Sequence, residues 1–288
     1  MEWVEGLNCS LDYIELNLDN EISYEKAAKI ACCSVNHYQR MFSYISNTTL
    51  AEYIRRRRLT KAAYELQNSE ISVINIAAKY GYNSPTAFTR AFSNMHGVTP
   101  TEAKKKGTKL KSFPQISFKI TVRGECELNY RIEEKEEFRI IGIKETIVND
   151  GKTNFERIPL MWEEAREDGR IKELLANCGK NPGGMMGICT NLRKESFDYY
   201  IAIPSNDKLQ ENMLDLTVKK GVWVIFECVG LSSIQPTWKR IFSEWFPSSG
   251  YECSGDAEIE WYPDVDSSPE DYVTEIWIPI VKSRTNGG

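Results

Sequence analysis

The first half of the chain repeats itself at a shift of 50 residues. Ala27, Ala28 and Lys29 match Ala77, Ala78 and Lys79; Ser34 matches Ser84, Tyr38 matches Phe88, Arg40 matches Arg90 and Phe42 matches Phe92. The match continues through Thr49 with Thr99 and Glu52 with Glu102 into two basic runs, Arg55 to Arg58 and Lys104 to Lys106. A repeat at fixed period is one supersecondary unit built twice. Each copy reads as two short helices. In the first, the small residues Ala27, Ala28 and Ala31 allow close helix packing, and Ser34 is placed to cap the next helix. In the second, Gly81 permits a sharp turn, Ser84 caps, and Pro85 falls at the first helical position, where its missing N–H is no loss. This is the grammar of a helix-turn-helix. Between the copies Leu59, Ala62, Ala63 and Leu66 fall at i, i+3, i+4 and i+7 with Ile54 at the edge of the stripe, which predicts one linking helix over residues 51–66.

In such a motif the second helix enters the major groove. In VNHYQRMF the apolar Val35, Tyr38, Met41 and Phe42 recur at helical spacing and leave Asn36, His37, Gln39 and Arg40 facing out. In PTAFTRAF, Phe88, Ala91 and Phe92 face in and Thr86, Ala87, Thr89 and Arg90 face out. Arginine pairs with guanine, Asn and Gln with adenine, and Thr and Ala methyls contact thymine. A rigid linking helix would set the two reading helices on successive major-groove segments about 34 Å apart.

Charge agrees once it is resolved along the chain. The net −5 is a sum of −6 over residues 1–21, +10 over residues 22–112 and −9 over residues 113–288. A basic block followed by an acidic one predicts a polyanion as partner of the first and something else as partner of the second. The stretch INIAAKYGYNSPTAFTRAFSNMHGVTPTEAKKK then resembles the AraC/XylS signature, with its I-A-x-x-x-G-[FY], the aromatic-x-R-x-F and the late G-x-T-P. The resemblance covers about residues 8–110 and puts Asn36, Gln39, Arg40, Thr86, Ala87 and Arg90 on the family's base-facing positions. Pro85 departs from the polar residue many relatives carry, and Asn36 from the tryptophan of Rob-like relatives.

Past the basic linker from Lys104 to about Gln115, helical periodicity gives way to alternation at Ile116, Phe118, Ile120 and Val122, which predicts a strand. A second duplication follows. Two helical stretches, one opening at Ile158 and Pro159 and running through Trp162, the other opening at Ile234 and Pro236 with Trp238, Ile241, Phe242, Trp245 and Phe246 as an aromatic stripe, are each followed by two strand-like runs. Pro204 aligns with Pro279 and Trp162 with Trp238, so this half is strand, helix, strand, strand, twice, with a cleft expected between the halves. The fold class is therefore α+β in two domains: residues 1–112, an all-α double helix-turn-helix domain, and residues 113–288, a duplicated strand-helix-strand-strand domain.

The second half resembles the gyrase-inhibitor-like effector domain of Rob-type and some MerR-type regulators, through EEKEEFRIIGIK, IPLMW, FDYYIAI, KKGVWVIFECVG, WFPSSGY and EIWIPI. That resemblance implies a lipophilic, often cationic ligand and a buried acid on the last strand, matched by Glu275. Strand alternation puts Glu275 and Trp277 on one face and Ile276, Ile278 and Ile280, packed under the helices, on the other. Tyr200 and Ala202 are their equivalents on the duplicate strand, so carboxylate, phenol and indole are expected to meet, a setting for an organic cation. Trp162, Trp223, Phe226 and Tyr262 are further wall candidates.

The reading is a DNA-binding regulator, an activator, that senses a small hydrophobic or cationic effector. Its expected partners are double-stranded DNA, that effector and RNA polymerase, with no membrane, as a monomer or homodimer. Two other classes stand beside it: a hydrolase using Glu275 with Tyr200, and a protein-interaction module. No apolar run is long enough to span a bilayer, and the opening residues carry acids where a signal peptide would carry bases, so a cytoplasmic location with reduced cysteines is expected. With only His37 and His96 and no C-x-x-C pair, no metal, cofactor or catalytic residue is assigned.

Overall fold

A computed structural model describes residues 2–119, 127–150, 153–179, 182–193, 195–207, 213–255, 257–263 and 272–283. By contacts the chain divides into two compact units, Met1–Val35 with Leu50–Thr121, and Asn36–Thr49 with Val122–Gly288. Where a seam at Ser112 is expected, the first unit runs on to Thr121, and residues 36–49 group with the second. The helices of the first 119 residues are α1 (Glu2–Leu16), α2 (Tyr24–Ile30), α3 (Val35–Ser46), α4 (Leu50–Asn68), α5 (Val73–Lys79), α6 (Pro85–His96) and α7 (Pro100–Ala103).

In the first unit α4 is the expected linking helix. Its stripe of Leu59, Ala62, Ala63 and Leu66 is buried against Ile76, Ala77 and Tyr80 and against Phe88, Phe92 and Met95 of α6. Helix starts follow capping chemistry: Ser23, Ser72 and Ser84 accept amide hydrogen bonds from Lys26, Asn75 and Ala87, and Thr99 with Glu102 forms a capping box. The basic run of α4 is spent largely inside the unit. Arg57 makes two 2.7 Å bonds to the Glu15 carboxylate, Arg58 donates to the carbonyls of Leu18 and Asn20, and Arg55 and Arg56 both hold Glu52.

The repeat slips by one residue at its turns. The amides of Ala31, Cys32 and Cys33 bond to the carbonyls of Ala27, Lys29 and Ala28, and those of Tyr80, Gly81 and Tyr82 to Ile76, Ala78 and Ala77, so the backbone shift through α2 and α5 is 49, not 50. Burial agrees, with Ala27 and Ala28 matched by Ile76 and Ala77. The left-handed turn residue is Gly81 (φ +80°) in the second copy and Cys32 (φ +55°) in the first. From α3 and α6 onward the shift is 50, because the second turn holds one residue more.

The strand expected past Gln115 is not formed as far as Lys119. Residues 108–119 have no regular secondary structure and lie against the helices of the first unit, where side chains satisfy their backbone. Asn8 brackets Phe118, accepting from its amide at 2.9 Å and donating to its carbonyl at 3.1 Å; Thr60 accepts from Phe113, and His96 Nδ1 from Lys111. A segment whose polar groups are met this way needs no strand partner. Ile120 and Val122 lie outside the described residues.

The second unit is built on antiparallel strands β1 (Tyr130–Lys135), β2 (Phe138–Val148), β3 (Met185–Thr190), β4 (Ser196–Pro204), β5 (Leu214–Val218), β6 (Gly221–Val229), β7 (Tyr251–Cys253), β8 (Glu258–Tyr262) and β9 (Val273–Lys282). Their order is β1-β6-β9-β8-β3-β4-β2-β5, with β7 on β9. The expected duplication is visible in that order. β2-β3-β4 and β6-β8-β9 mirror one another across the central β3–β8 pair, and the outermost strands are exchanged, β1 pairing with β6 and β5 with β2. Helices α8 (Thr153–Glu167) and α9 (Arg170–Ala176) cover one half. The other carries a continuous helical stretch of α10 (Ile234–Arg240), a π-helical turn (Ile241–Trp245) and α11 (Phe246–Ser249). The aromatic stripe falls as predicted, with Trp238, Ile241, Phe242, Trp245 and Phe246 buried. α8 starts earlier than expected, so Pro159 lies inside it and removes one helical hydrogen bond.

Helix α3 joins this unit through His37. Its ring meets Phe246 edge-on at 4.7 Å and Phe242 at 5.8 Å, and its Nδ1 accepts from the Cys253 amide at 3.2 Å. Outward by helical period, His37 is buried here, 4% exposed. Burial lowers its pKa from 6.5 to about 4.

Cys32→Gly should raise stability by roughly 0.5–1 kcal/mol, because glycine enters the left-handed region without a Cβ penalty; a denaturant midpoint that fails to rise would show the turn is unstrained. His37 predicts an acid dependence. Above pH 6.5 the imidazole is neutral folded or unfolded; between 6.5 and about 4 only the unfolded chain takes the proton, so stability falls with pH. The loss from pH 6.5 to 5 should be about 2 kcal/mol, and His37→Asn, which keeps an acceptor, should flatten that slope in urea melts at stepped pH.

Candidate functional site

The residues paired across a sheet share a face, so the register fixes what the cleft can hold. At the centre Gly187 lies opposite Glu260 and Cys189 opposite Glu258; Cys189 in turn faces Tyr199. These side chains point to the helix-bearing side, with Ile201 and Ile203 under α8 and α9. They floor a cavity of about 230 Å³. Ile158 and Pro159 of α8 form one wall, Gln235 and Trp238 of α10 another, and Gln39, Arg40, Ser43 and Tyr44 of α3 a third.

The site holds two carboxylates among aromatic rings. Glu260 accepts from Trp238 Nε1 at 2.7 Å and Tyr262 Oη at 3.0 Å. Burial pushes its carboxyl up, and those hydrogen bonds pull it partly back. Glu258 holds Arg40 through both guanidinium Nε, at 2.8 Å, and Nη2. Trp162 Nε1 donates to Tyr199 Oη at 2.8 Å, and its ring meets Tyr262 edge-on at 5.4 Å. Burial raises the phenols of Tyr199 and Tyr262 well above their usual value, which keeps both neutral. Gly187 opens the floor, since a Cβ there would press on the Tyr199 hydroxyl.

None of the expected wall residues lines this cavity itself; Tyr262 and Trp162 stand behind its lining, hydrogen-bonded to Glu260 and Tyr199. Glu275, Trp277, Tyr200 and Trp223 sit on the other face of the sheet. There Glu275 ion-pairs with Arg131 at 2.7 Å and accepts from Trp277 Nε1, and Lys135 covers the Trp277 ring at 4.0 Å. Phe226 packs on Trp245 and Tyr130 away from the cavity. Strand parity grouped these residues correctly but cannot say which face carries the cleft: it is the isoleucine side. Tyr200 is brought together with neither Glu275 nor Trp277, because β3 and β8 lie between their strands. The hydrolase alternative therefore lacks its paired carboxyl and phenol. Glu258, Glu260, Trp238, Tyr199 and Tyr44 were not singled out. The available signal was AEIEWYP, whose alternate Glu258, Glu260 and Tyr262 stand opposite Cys189, Gly187 and Met185 of the duplicate strand.

On α6, Thr86, Ala87 and Arg90 are exposed and Thr89 is half-buried, with Pro85 at the helix start. On α3, Asn36, Gln39 and Arg40 are half-buried. Cys9, Cys32, Cys33, Cys178, Cys189, Cys228 and Cys253 are free thiols, and Cys126 lies outside the described residues. Among the described residues no helix is long and apolar enough to cross a membrane.

Comparison with known proteins gives two matches along the chain. A family profile described as an integron-associated effector binding protein matches residues 131–280, and one described as a helix-turn-helix domain matches residues 27–106. The Tn10 TetD protein of Escherichia coli is 42% identical over 89 residues, 31% of this chain and 64% of that protein. The transcriptional activator AarP of Providencia stuartii is 41% identical over 91 residues (32% and 67%), and the multiple antibiotic resistance protein MarA of Escherichia coli K12 is 38% identical over 90 (31% and 71%). The chain thus spans about two thirds of the length of these relatives. Among solved structures, SAV2435 bound to tetraphenylphosphonium aligns over 53% of this chain and 94% of that one at 22% identity and a TM-score of 0.49. The integron cassette protein VCH_CASS2 of Vibrio cholerae aligns over 53% and 95% at 16% and 0.39. The chain belongs to the integron-associated effector-binding family, joined here to an AraC-type helix-turn-helix region of the kind found in MarA and AarP.

Proposed function

We propose that this protein is a cytoplasmic transcription activator that reads double-stranded DNA through α3 and α6 and takes a lipophilic organic cation in the cleft of its second unit, with RNA polymerase as its downstream partner. The observation that carries the ligand class is Glu260, whose carboxylate is met by two neutral donors, Trp238 and Tyr262, and bordered by aromatic rings. Neutral donors stabilise a carboxylate without cancelling its charge, so the site keeps a negative potential in an apolar wall. A delocalised cation satisfies both, through charge pairing and cation–π contact worth about 0.5 to 2 kcal/mol. An anionic or purely neutral polar ligand would leave one or the other unmet.

The reading of DNA rests on α6, where Arg90 is exposed beside Thr86 and Ala87, with Thr89 half-buried next to them. Arg90 suits a guanine edge, and the methyls of Thr86 and Ala87 suit thymine. On α3, Asn36, Gln39 and Arg40 would take the equivalent contacts.

Glu260→Gln should weaken tetraphenylphosphonium binding by about three- to thirtyfold in fluorescence titration; unchanged affinity would remove the carboxylate from the site. On a duplex enriched from a random pool, Arg90→Ala should cost on the order of 1 to 3 kcal/mol and relax preference at one base pair, and wild-type affinity should fall steeply with salt. If the variant discriminates sequence as the wild type does, α6 does not read bases through Arg90.

A further inference from the structure

We infer that α3 occupies the effector cleft as the protein's own ligand, so that an aromatic cation and DNA-reading by α3 support one another: the cation displaces α3 from Glu258, Trp238 and Phe242 and frees its base-reading face. This rests on the ligand and DNA readings proposed above. The chemistry of the present occupant is that of such a cation. The Arg40 guanidinium pairs with both oxygens of Glu258, and its delocalised positive charge is what an organic cation would bring to the same carboxylate. Four residues on, the Tyr44 ring lies parallel to Trp238 at 5.4 Å and 8° and to Phe242 at 4.9 Å and 9°. The guanidinium also stands 5.1 Å from the Tyr44 ring and 5.6 Å from the Trp238 ring. One flat ring in the aromatic wall and one delocalised positive charge on a buried carboxylate describe an aryl-bearing organic cation.

The same geometry excludes DNA from α3. Gln39 and Arg40 line the cleft cavity, and Asn36 lines an adjoining one with its amide against Gly255. These are the three side chains expected on base edges. A helix reads bases only with that face in the major groove, so α3 cannot do so while its face is the wall of the cleft. Arg90, the equivalent of Arg40, is exposed on α6. The closure is also releasable, because a buried ion pair gives back in desolvation much of what it gains in attraction, and an incoming cation supplies Glu258 with a countercharge as Arg40 leaves.

If α3 is docked in most molecules, apparent affinities for both cation and DNA are reduced by the undocked fraction, and each partner raises affinity for the other by the same factor. Arg40→Ala cannot separate these effects, since it removes the latch and a base contact together. Tyr44→Ala does separate them. With the full chain, tetraphenylphosphonium as cation and a duplex enriched from a random pool by the Tyr44→Ala protein as DNA, saturating cation should tighten wild-type DNA binding about tenfold or more, and saturating DNA should tighten cation binding equally. Tyr44→Ala should bind each partner about tenfold tighter on its own and lose the coupling. Glu258→Gln, a second variant in case Tyr44→Ala does not fold, should bind DNA tightly without cation and gain nothing from it. Independent binding of cation and DNA by the wild type, with neither variant tightening either, overturns the inference. Should no cation bind to either protein, the ligand reading fails, and DNA affinity in Tyr44→Ala still decides: tighter supports the latch, unchanged overturns it. Should no DNA bind, the DNA reading fails, and cation affinity in Tyr44→Ala decides in the same way.

Discussion

The pairing of β3 with β8 is the contact from which the effector unit is organised. It joins the two copies of the duplication antiparallel at the middle of the sheet, so that the floor of the cleft is drawn from both. That is why small residues and acids alternate across the seam: Gly187 and Cys189 from one copy leave space over which Glu260 and Glu258 from the other can stand. The exchange of β1 and β5 between the halves then ties each copy to the other through hydrogen bonds, so the two sides of the cleft are held by one continuous sheet. A carboxylate held on strands and hydrogen-bonded by side chains from a helix and its own strand is oriented before any ligand arrives.

Much of this was legible in residues alone, and the rest failed for definable reasons. Leu59, Ala62, Ala63 and Leu66 announced α4, and Trp238 to Phe246 announced the helix over the second half, because both stripes are set by packing period. Strand parity put Glu275 with Trp277 and apart from the isoleucines, which is how they lie. Parity is relative, though, and only the register of β8 against β3 shows that the cleft is on the isoleucine face. The shift of 50 holds for the second helices, but the identical Ala-Ala-Lys triplets that extend it backward are one position out of structural register, since hydrogen bonding, not identity, counts the residues of a turn. The strand expected after Gln115 was lost to side chains such as Asn8 and Tyr53, far away in sequence.

Segment charge is a poor guide to surface. The +10 of residues 22–112 includes Arg55 to Arg58, and these four arginines bond to Glu52, to Glu15 and to backbone carbonyls. Part of the basic block therefore holds the first unit together. Glu15, which counts in the −6 opening segment, shows the other side of the same exchange: burial raises its carboxyl, and the bonds from Arg57 and Tyr53 more than compensate and leave it lowered. What is left for a polyanion is the charge that has no such internal partner, and position along the chain does not reveal it.

Duplication also changes what a repeated residue can do. Arg40 and Arg90 occupy equivalent places in sequence, each on the second helix of its copy, yet one closes on a buried carboxylate and the other is exposed. The difference is not in the helices, which share length and apolar face. It lies in Glu258 and in the rings of Trp238 and Phe242, which give α3 a partner that α6 lacks among the described residues. A single reading helix held this way would leave a regulator with no grip on DNA, whereas a chain with two can keep α6 exposed while α3 is engaged. On the proposed reading, the second copy of the motif leaves the first free to double as a wall of the cleft.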